Sequence, residues 1–74
     1  MKRIWTVEDE EEKAVALLEA STHPAVIRRL DASGRPWERC WEIRRATKEE
    51  QVTFKVLQRL NPSHDGILWL KNPY

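Results

Sequence analysis

The sequence contains few of the residues on which the chemistry of small domains usually depends. It has two glycines and one cysteine among 74 residues, so it can form neither an internal disulfide nor a glycine-rich phosphate-binding loop. No apolar run approaches the ~18 residues of a membrane span, and residues 1–7 lack the hydrophobic region of a secretory signal. We therefore expect a cytoplasmic protein without a membrane segment.

Side chains that carry catalysis or hold metals are also scarce. His23 and His64 are the only histidines, and together with Cys40 they lack the spacing of a zinc site. The run 63–65 contains serine, histidine and aspartate, but adjacent residues cannot form a catalytic relay, and the flanking proline and glycine predict a turn. We therefore expect no catalytic residues, no metal and no cofactor.

What the sequence does have is a stretch rich in tryptophan and arginine. Two of the four tryptophans, Trp37 and Trp41, lie within residues 26–45, a stretch that also holds six arginines. Tryptophan and arginine are the residue types that most often anchor binding surfaces. The net charge of +1 also conceals an asymmetry, because residues 1–22 sum to −3 and residues 23–60 to +4. This asymmetry predicts a dipolar surface.

Residue patterning in the first half predicts a strand followed by a helix. Residues 3–7 have strand propensity. Thr6 can cap a helix whose first turn holds the acidic run 8–12, which would complement the helix dipole. The spacing of apolar residues predicts that this helix continues to about Ser21, because Pro24 disfavours helix at the residue before it.

The second half predicts a hairpin, a helix and a last strand. Residues 25–30 and 37–45 alternate as strands joined by a loop with Gly34 and Pro36. Thr47 and Glu50 form a capping-box pattern, which predicts a helix over residues 47–60. The apolar residues 67–70 then predict a short strand buried on both sides, beside the first strand.

The predicted order β-α-β-β-α-β is that of an α+β split βαβ domain, a ferredoxin-like sandwich with two helices on one face of an antiparallel sheet. Its terminal strands would pair in the centre. A fold in which residues 37–60 form one long helix is the alternative, and the capping box argues against it. Helical phase predicts that Val52, Val56 and Leu60 are buried, while Phe54 is either covered by a loop or exposed.

Two binding functions remain open, and an enzyme or cofactor protein whose site shows no recognisable motif is a third alternative. A protein-binding module without enzymatic activity fits the mixture of charges with aromatic residues. The candidate partner-binding residues are Arg28, Arg29, Arg35, Trp37, Arg39, Arg44 and Phe54. The alternative is a nucleic-acid-binding module that uses the arginines and tryptophans of residues 26–45, although Asp31, Glu38 and Glu42 interrupt the positive charge.

In its compact size, its lack of catalytic motifs and its mixed charge, the chain resembles small accessory proteins of phages and mobile elements. The resemblance implies an inhibitor or regulator of a host protein complex. Independently of it, we expect a monomer or a homodimer.

Overall fold

A computed structural model describes residues 2–62 and 65–70, which form one four-stranded antiparallel sheet and two helices. The sheet has the strand order β3-β1-β2-β4. The elements in chain order are β1 Arg3–Glu8, β2 Ala14–Ala20, α1 His23–Ala32, β3 Glu42–Arg45, α2 Lys48–Leu60 and β4 Ile67–Trp69. No helix in this described part of the chain has the length and hydropathy that crossing a membrane requires.

The acidic run forms the turn of a hairpin, so the predicted first helix is wrong. The Asp9 carboxylate accepts the backbone N–H groups of Glu11 and Lys13 at 2.9 and 3.0 Å, and Glu12 has a φ of 62°. The chain then returns as β2, in which four consecutive residues, 15–18, are buried. A strand covered on both faces has no period-two pattern, and its alanines and leucines also favour helix, which explains the wrong prediction.

The segment predicted as the next strand is instead the helix α1. Thr22 accepts the backbone N–H of Ala25 at 3.3 Å, and Pro24 lies in the first turn, where backbone N–H groups have no partner within the helix, so the lack of an N–H on proline costs no hydrogen bond. Val26 and Leu30, four residues apart, are its buried residues. Pro24 therefore begins a helix, whereas the sequence analysis used it as a stop signal.

The second predicted strand is much shorter than expected. Only Glu42–Arg45 pair with the sheet, and residues 33–41 form an irregular connection after α1. Trp37 Nε1 donates to the Asp31 carboxylate at 3.0 Å, which ties this connection to the end of α1. The predicted hairpin over residues 25–45 is therefore absent.

The sheet separates the two helices, which lie on opposite faces. Trp5 pairs with Leu18, and Thr6 pairs with Leu17, so the alternation of side chains places the two pairs on different faces. The face of Trp5 and Leu18 packs with the buried residues of α1 in one cluster. The other face receives α2, and there the Thr6 hydroxyl donates to Glu50 at 3.1 Å.

This arrangement corrects the split βαβ prediction in three respects. The elements follow the order β-β-α-β-α-β. The helices do not share a face of the sheet. The first strand pairs with β2 and β3, whereas β4 pairs with β2, so the two terminal strands are not neighbours. The coarser prediction, an α+β domain with an antiparallel sheet and two helices, is confirmed.

Most of the core lies on the side of α1. The cluster there is formed by Trp5, Val7, Val15, Ala16, Leu18, Ala20, Val26, Leu30 and Ile67, and Trp37, Trp41 and Trp69 pack against it. All four tryptophans therefore belong to this side. On the other side Phe54 is the buried residue of α2, so α2 contributes little apolar area to the core.

Candidate functional site

The helix α2 is held against the sheet by the buried Phe54 and by polar contacts around one carboxylate. Glu50 accepts from two guanidinium nitrogens of Arg44 at 2.8 and 2.9 Å and from the Thr6 hydroxyl. Arg44 also pairs with Glu8. These contacts link β1, β3 and the first turn of α2, so they fix where the helix lies on the sheet.

The same carboxylate completes the predicted capping box, which is confirmed. The Thr47 hydroxyl accepts the Glu50 N–H at 3.2 Å, and the Glu50 carboxylate accepts the Thr47 N–H at 2.9 Å. The hydrogen bonds from Arg44 and from the Thr47 and Thr6 donors lower the pKa of Glu50 to about 2, although partial burial opposes this. The two carboxylates in turn raise the pKa of the Arg44 guanidinium above its ordinary value.

The outer face of α2 is apolar and uncovered, contrary to the predicted burial. Val52, Val56 and Leu60 are 61%, 50% and 74% exposed, whereas Phe54 is 4% exposed. The i, i+4, i+8 spacing that predicted a buried stripe is real, but the stripe faces outward. We call these three residues the outer stripe. It is the largest departure from burial of apolar residues in the described part of the chain.

One flank of the outer stripe is cationic. At ~100° per residue, Lys48, Lys55 and Arg59 fall roughly 20–60° to one side of Val52. All three are exposed, and none forms an ion pair with a described residue. A shallow cavity of about 210 Å³ lies here, lined by Lys55, Val56, Arg59 and Leu60. The site therefore combines an apolar floor with two positive side chains.

The arginines selected from the sequence are not gathered into one surface. Arg35 lies over the ring of Trp69 and Arg39 over that of Trp37, each with its guanidinium carbon 5.3 Å from the ring centroid. Arg39 also pairs with Asp31 at 3.4 Å. Arg35 and Arg39 are therefore engaged by neighbouring side chains of the irregular connection and the sheet.

The remaining selected cations have separate surroundings. Arg29 donates to the carbonyl oxygens of Glu19 and Asp65 at 3.1 and 2.7 Å, which ties α1 to the turn before β4. Arg44 belongs to the Glu50 network on the opposite side of the sheet. Arg28 is exposed on α1, on the face of the sheet opposite α2, so it does not belong to the surface of α2 described above. Sequence proximity suggested a continuous arginine surface, and the helix between the strands disperses it.

The two selected aromatic residues are not free surface anchors. Phe54 is buried between α2 and the sheet. Trp37 is partly buried against the α1-side cluster, with its indole nitrogen bonded to Asp31 and its ring beneath Arg39. Both residues therefore stabilise the fold in the isolated chain.

A second group of side chains, distant in sequence, meets at the hairpin turn. Atoms of Glu10, Glu38 and Cys40 that could bind a metal lie within 4.8 Å of one another, and all three residues are exposed. The Cys40 thiol donates to Glu10 at 3.1 Å, and the two carboxylates raise the pKa of Cys40 to about 11. Because the thiolate is the nucleophilic form, this thiol is poorly reactive at neutral pH.

The sequence offered no signal for this group, since Glu10 and Cys40 are 30 residues apart. His23 contacts Trp5 edge to face, with 6.2 Å between ring centroids. The predicted turn at Ser63 and His64 lies outside the described residues. Comparison with protein-family models, with curated proteins and with solved structures found no match for this chain.

Proposed function

We propose that this chain is a protein-binding module without enzymatic activity, and that its binding surface is the outer face of α2. The observation that carries the proposal is the exposure of the outer stripe, Val52, Val56 and Leu60. A helix that is apolar on both faces is ordinarily covered on both. Here the sheet covers one side, through Phe54 and Glu50, and the other side is open to a partner.

Several features argue that a partner covers this face. Because these three side chains are about half to three-quarters exposed, each forfeits a corresponding part of the roughly 1.5–3 kcal/mol that full burial contributes. Contiguous exposed apolar residues rimmed by charge are typical of interaction sites. Val52, Val56 and Leu60 each keep half or more of their surface exposed, so packing among the described residues does not account for an apolar stripe at these positions.

The alternative, a nucleic-acid-binding module built on residues 26–45, has weaker support. The arginines of that stretch are dispersed, with Arg35 and Arg39 stacked on tryptophans and Arg44 paired with two carboxylates. A phosphate-binding surface needs cations that are clustered and available. Trp37 and Trp41 are also partly buried against the α1-side cluster, which leaves less ring surface for stacking bases.

We propose that the protein acts in the cytoplasm, where an exposed free thiol such as Cys40 stays reduced. An inhibitor or regulator that occupies a surface of a partner complex is the form of function that fits a small module with one binding face. The resemblance to accessory proteins of phages and mobile elements would be consistent with such a role.

The test is in vivo photo-crosslinking from two positions. A photoreactive phenylalanine analogue replaces Val56 on the outer face of α2 in one variant, and replaces the exposed Arg28 on α1 in a matched control. Extracts are analysed with and without nuclease. We expect a discrete protein adduct from position 56 only, insensitive to nuclease and lost when Leu60→Asp is added to the same chain.

Equal adducts from both positions would contradict the proposal, and so would adducts to nucleic acid alone. The second result would favour the nucleic-acid alternative. Circular dichroism of the Leu60→Asp variant checks that the fold is retained, as expected for an exposed position.

A further inference from the structure

We propose that the partner element that covers the outer stripe is an acidic amphipathic helix of another protein. This inference rests on the proposed function and deepens it, because it names the chemistry of the occupant. Its apolar side would pack on Val52, Val56 and Leu60, and its carboxylates would lie along the cationic flank. Residues at i, i+4 and i+8 share one face of a helix, and an amphipathic helix that lays its apolar face on such a surface is a recurring mode of peptide recognition.

Charge complementarity selects the sign of the partner. Lys48, Lys55 and Arg59 are exposed beside the stripe without ion pairs among the described residues. The other flank carries Glu49 and the neutral Thr53, roughly 60–100° from Val52. A helix with aspartate or glutamate along one side would therefore meet three cations, whereas a basic helix would meet like charge.

The shallow cavity adds a second element of recognition. Its lining alternates cationic and apolar side chains, Lys55 and Arg59 with Val56 and Leu60. A partner leucine or isoleucine seated on Val56 and Leu60 would place a carboxylate one turn away within reach of Lys55 or Arg59. The stripe spans eight helical steps, or about 12 Å, which matches a partner helix of about ten to fourteen residues.

A second copy of this chain fits this surface poorly. Two-fold symmetry brings each patch against itself. In an antiparallel pair of α2 helices, each flank faces the same flank of its partner, so Lys48, Lys55 and Arg59 would face their own copies. In a parallel pair the three cations would meet Glu49, a single acid. Both arrangements leave positive charge uncompensated.

The acidic turn of another copy does not supply the missing partner either. Residues 8–12 are all acidic, so that turn has no apolar side chain to cover the stripe. A contact between the turn of one copy and α2 of the next would also be heterologous, and such contacts produce open chains of molecules. The occupant is therefore assigned to a different protein.

The test uses two designed peptide probes and the full chain. Each peptide is a side-chain-stapled helix of about fourteen residues with leucines at i, i+4 and i+8, and the staple removes differences in helicity. One carries glutamates along a flank, and the other carries lysines at the same positions. Binding of the fluorescein-labelled peptides is measured by anisotropy at low and moderate salt.

We expect the wild-type protein to bind the acidic peptide at least about tenfold more tightly than the basic one. Lys55→Glu should reduce that preference several-fold, because it lowers the charge of the flank from +3 to +1, and the double variant Lys55→Glu, Arg59→Glu should reverse it. Arg28→Glu, which makes the same change in charge on α1, should leave it unaltered. Val56→Asp should abolish binding of both peptides, while its circular dichroism spectrum stays that of the wild type.

Other results would overturn the inference. These are equal affinity for the two peptides, a preference that Arg28→Glu changes as much as Lys55→Glu does, or no binding of either peptide. Sedimentation of a dimer that Val56→Asp dissociates would assign the face to a second copy. Binding to anionic lipid vesicles, lost in Val56→Asp and without binding of the acidic peptide, would assign it to a membrane surface.

The two proposals can fail separately. A nuclease-insensitive protein adduct from position 56, together with preference for the basic peptide, would keep the proposed function and reject the acidic occupant. Failure of both the crosslink and the peptides would reject both.

Discussion

Glu50 joins three parts of the fold through a single carboxylate. It caps α2 through the Thr47 N–H, pairs with Arg44 on β3 and accepts from Thr6 on β1. Hydrogen bonds to a charged group are about twice as strong as neutral ones, so this side chain should contribute more than its small apolar area suggests. The attachment of α2 to the sheet depends on its ionisation.

We therefore expect Glu50→Gln to lower the free energy of unfolding at pH 7 by about 2 kcal/mol. The pKa of Glu50 is lowered in the folded protein from 4.5 to about 2, so its stabilising effect is complete above pH 5 and is lost as the pH falls towards 2. The difference in urea stability between wild type and variant should shrink over that interval. Glutamine keeps one oxygen as the capping acceptor, whereas its amide nitrogen would face the Arg44 guanidinium, so the change removes the charge together with one hydrogen bond from Arg44.

Glu49→Gln is the matched control, because Glu49 is exposed in the same turn of α2 and interacts mainly with the helix dipole. It should cost only a few tenths of a kcal/mol. A pH-independent difference between wild type and Glu50→Gln would contradict the assigned role of Glu50.

The sequence was sufficient to predict the capping box of α2, but it was insufficient to predict the ion pairs of Arg44. Thr47 and Glu50 interact across three residues, so their spacing alone predicted the capping box. Arg44 has two partners, Glu8 and Glu50. They lie on elements whose proximity depends on the strand order. Arg44 was therefore selected as a partner-binding residue, although its guanidinium is occupied within the fold.

Secondary-structure elements were predicted correctly where local sequence signals determine them, and incorrectly where burial against the sheet overrides those signals. The strands β1 and β4 and the helix α2 were placed close to their observed bounds. The strand β2 was predicted as a helix because its residues are buried on both faces, and α1 was predicted as a strand because Val26 and Ile27 favour strands. Tertiary contacts override such propensities when they compete.

The rotation of α2 about its own axis, which sets the face that meets the sheet, illustrates the same limit. Val52, Val56 and Leu60 have the spacing of a core stripe, and Phe54 lies on the opposite side of the helix. Periodicity identifies which residues share a face, but it does not say which face meets the sheet. The side of α2 that holds Glu50 and Phe54 faces the sheet, because Glu50 is hydrogen-bonded there to Arg44 and Thr6.

A tertiary link between α1 and the turn before β4 can be tested through glycine. Gly66 has a φ of 72°, and a Cβ there would lie 2.5 Å from Arg29 Nη2, so alanine would displace the guanidinium from the Asp65 carbonyl. Gly34 has a similar φ of 75° with open space around it. Both substitutions should cost about 1–2 kcal/mol through the backbone, and Gly66→Ala should cost about 1 kcal/mol more.

Urea unfolding of both variants measures the difference. In the Arg29→Ala background the excess cost of Gly66→Ala should disappear, since the contact it displaces is already gone. Equal losses in Gly66→Ala and Gly34→Ala would show that Arg29 does not hold this turn.

At the scale of the whole molecule, the sheet divides an asymmetric core. The α1 side holds all four tryptophans and the main apolar cluster, while the α2 side holds Phe54 and the Glu50 network. This division explains how α2 can present a second apolar face to the outside. A helix attached by one aromatic residue and a set of polar contacts leaves its aliphatic residues available for another protein.

The two sides should nevertheless unfold together, because β1 and β2 contribute buried residues to both. We expect Phe54→Ala, on the α2 side, to destabilise the protein by about 3–5 kcal/mol. Tryptophan fluorescence reports the α1 side and far-ultraviolet circular dichroism reports all elements, so both urea transitions should shift equally in this variant.

Val56→Ala on the outer stripe should stay within about 0.5 kcal/mol of wild type. A circular dichroism transition that precedes the fluorescence transition in Phe54→Ala would show instead that α2 detaches from an intact α1-side core, and a large loss in Val56→Ala would place the outer stripe inside the fold.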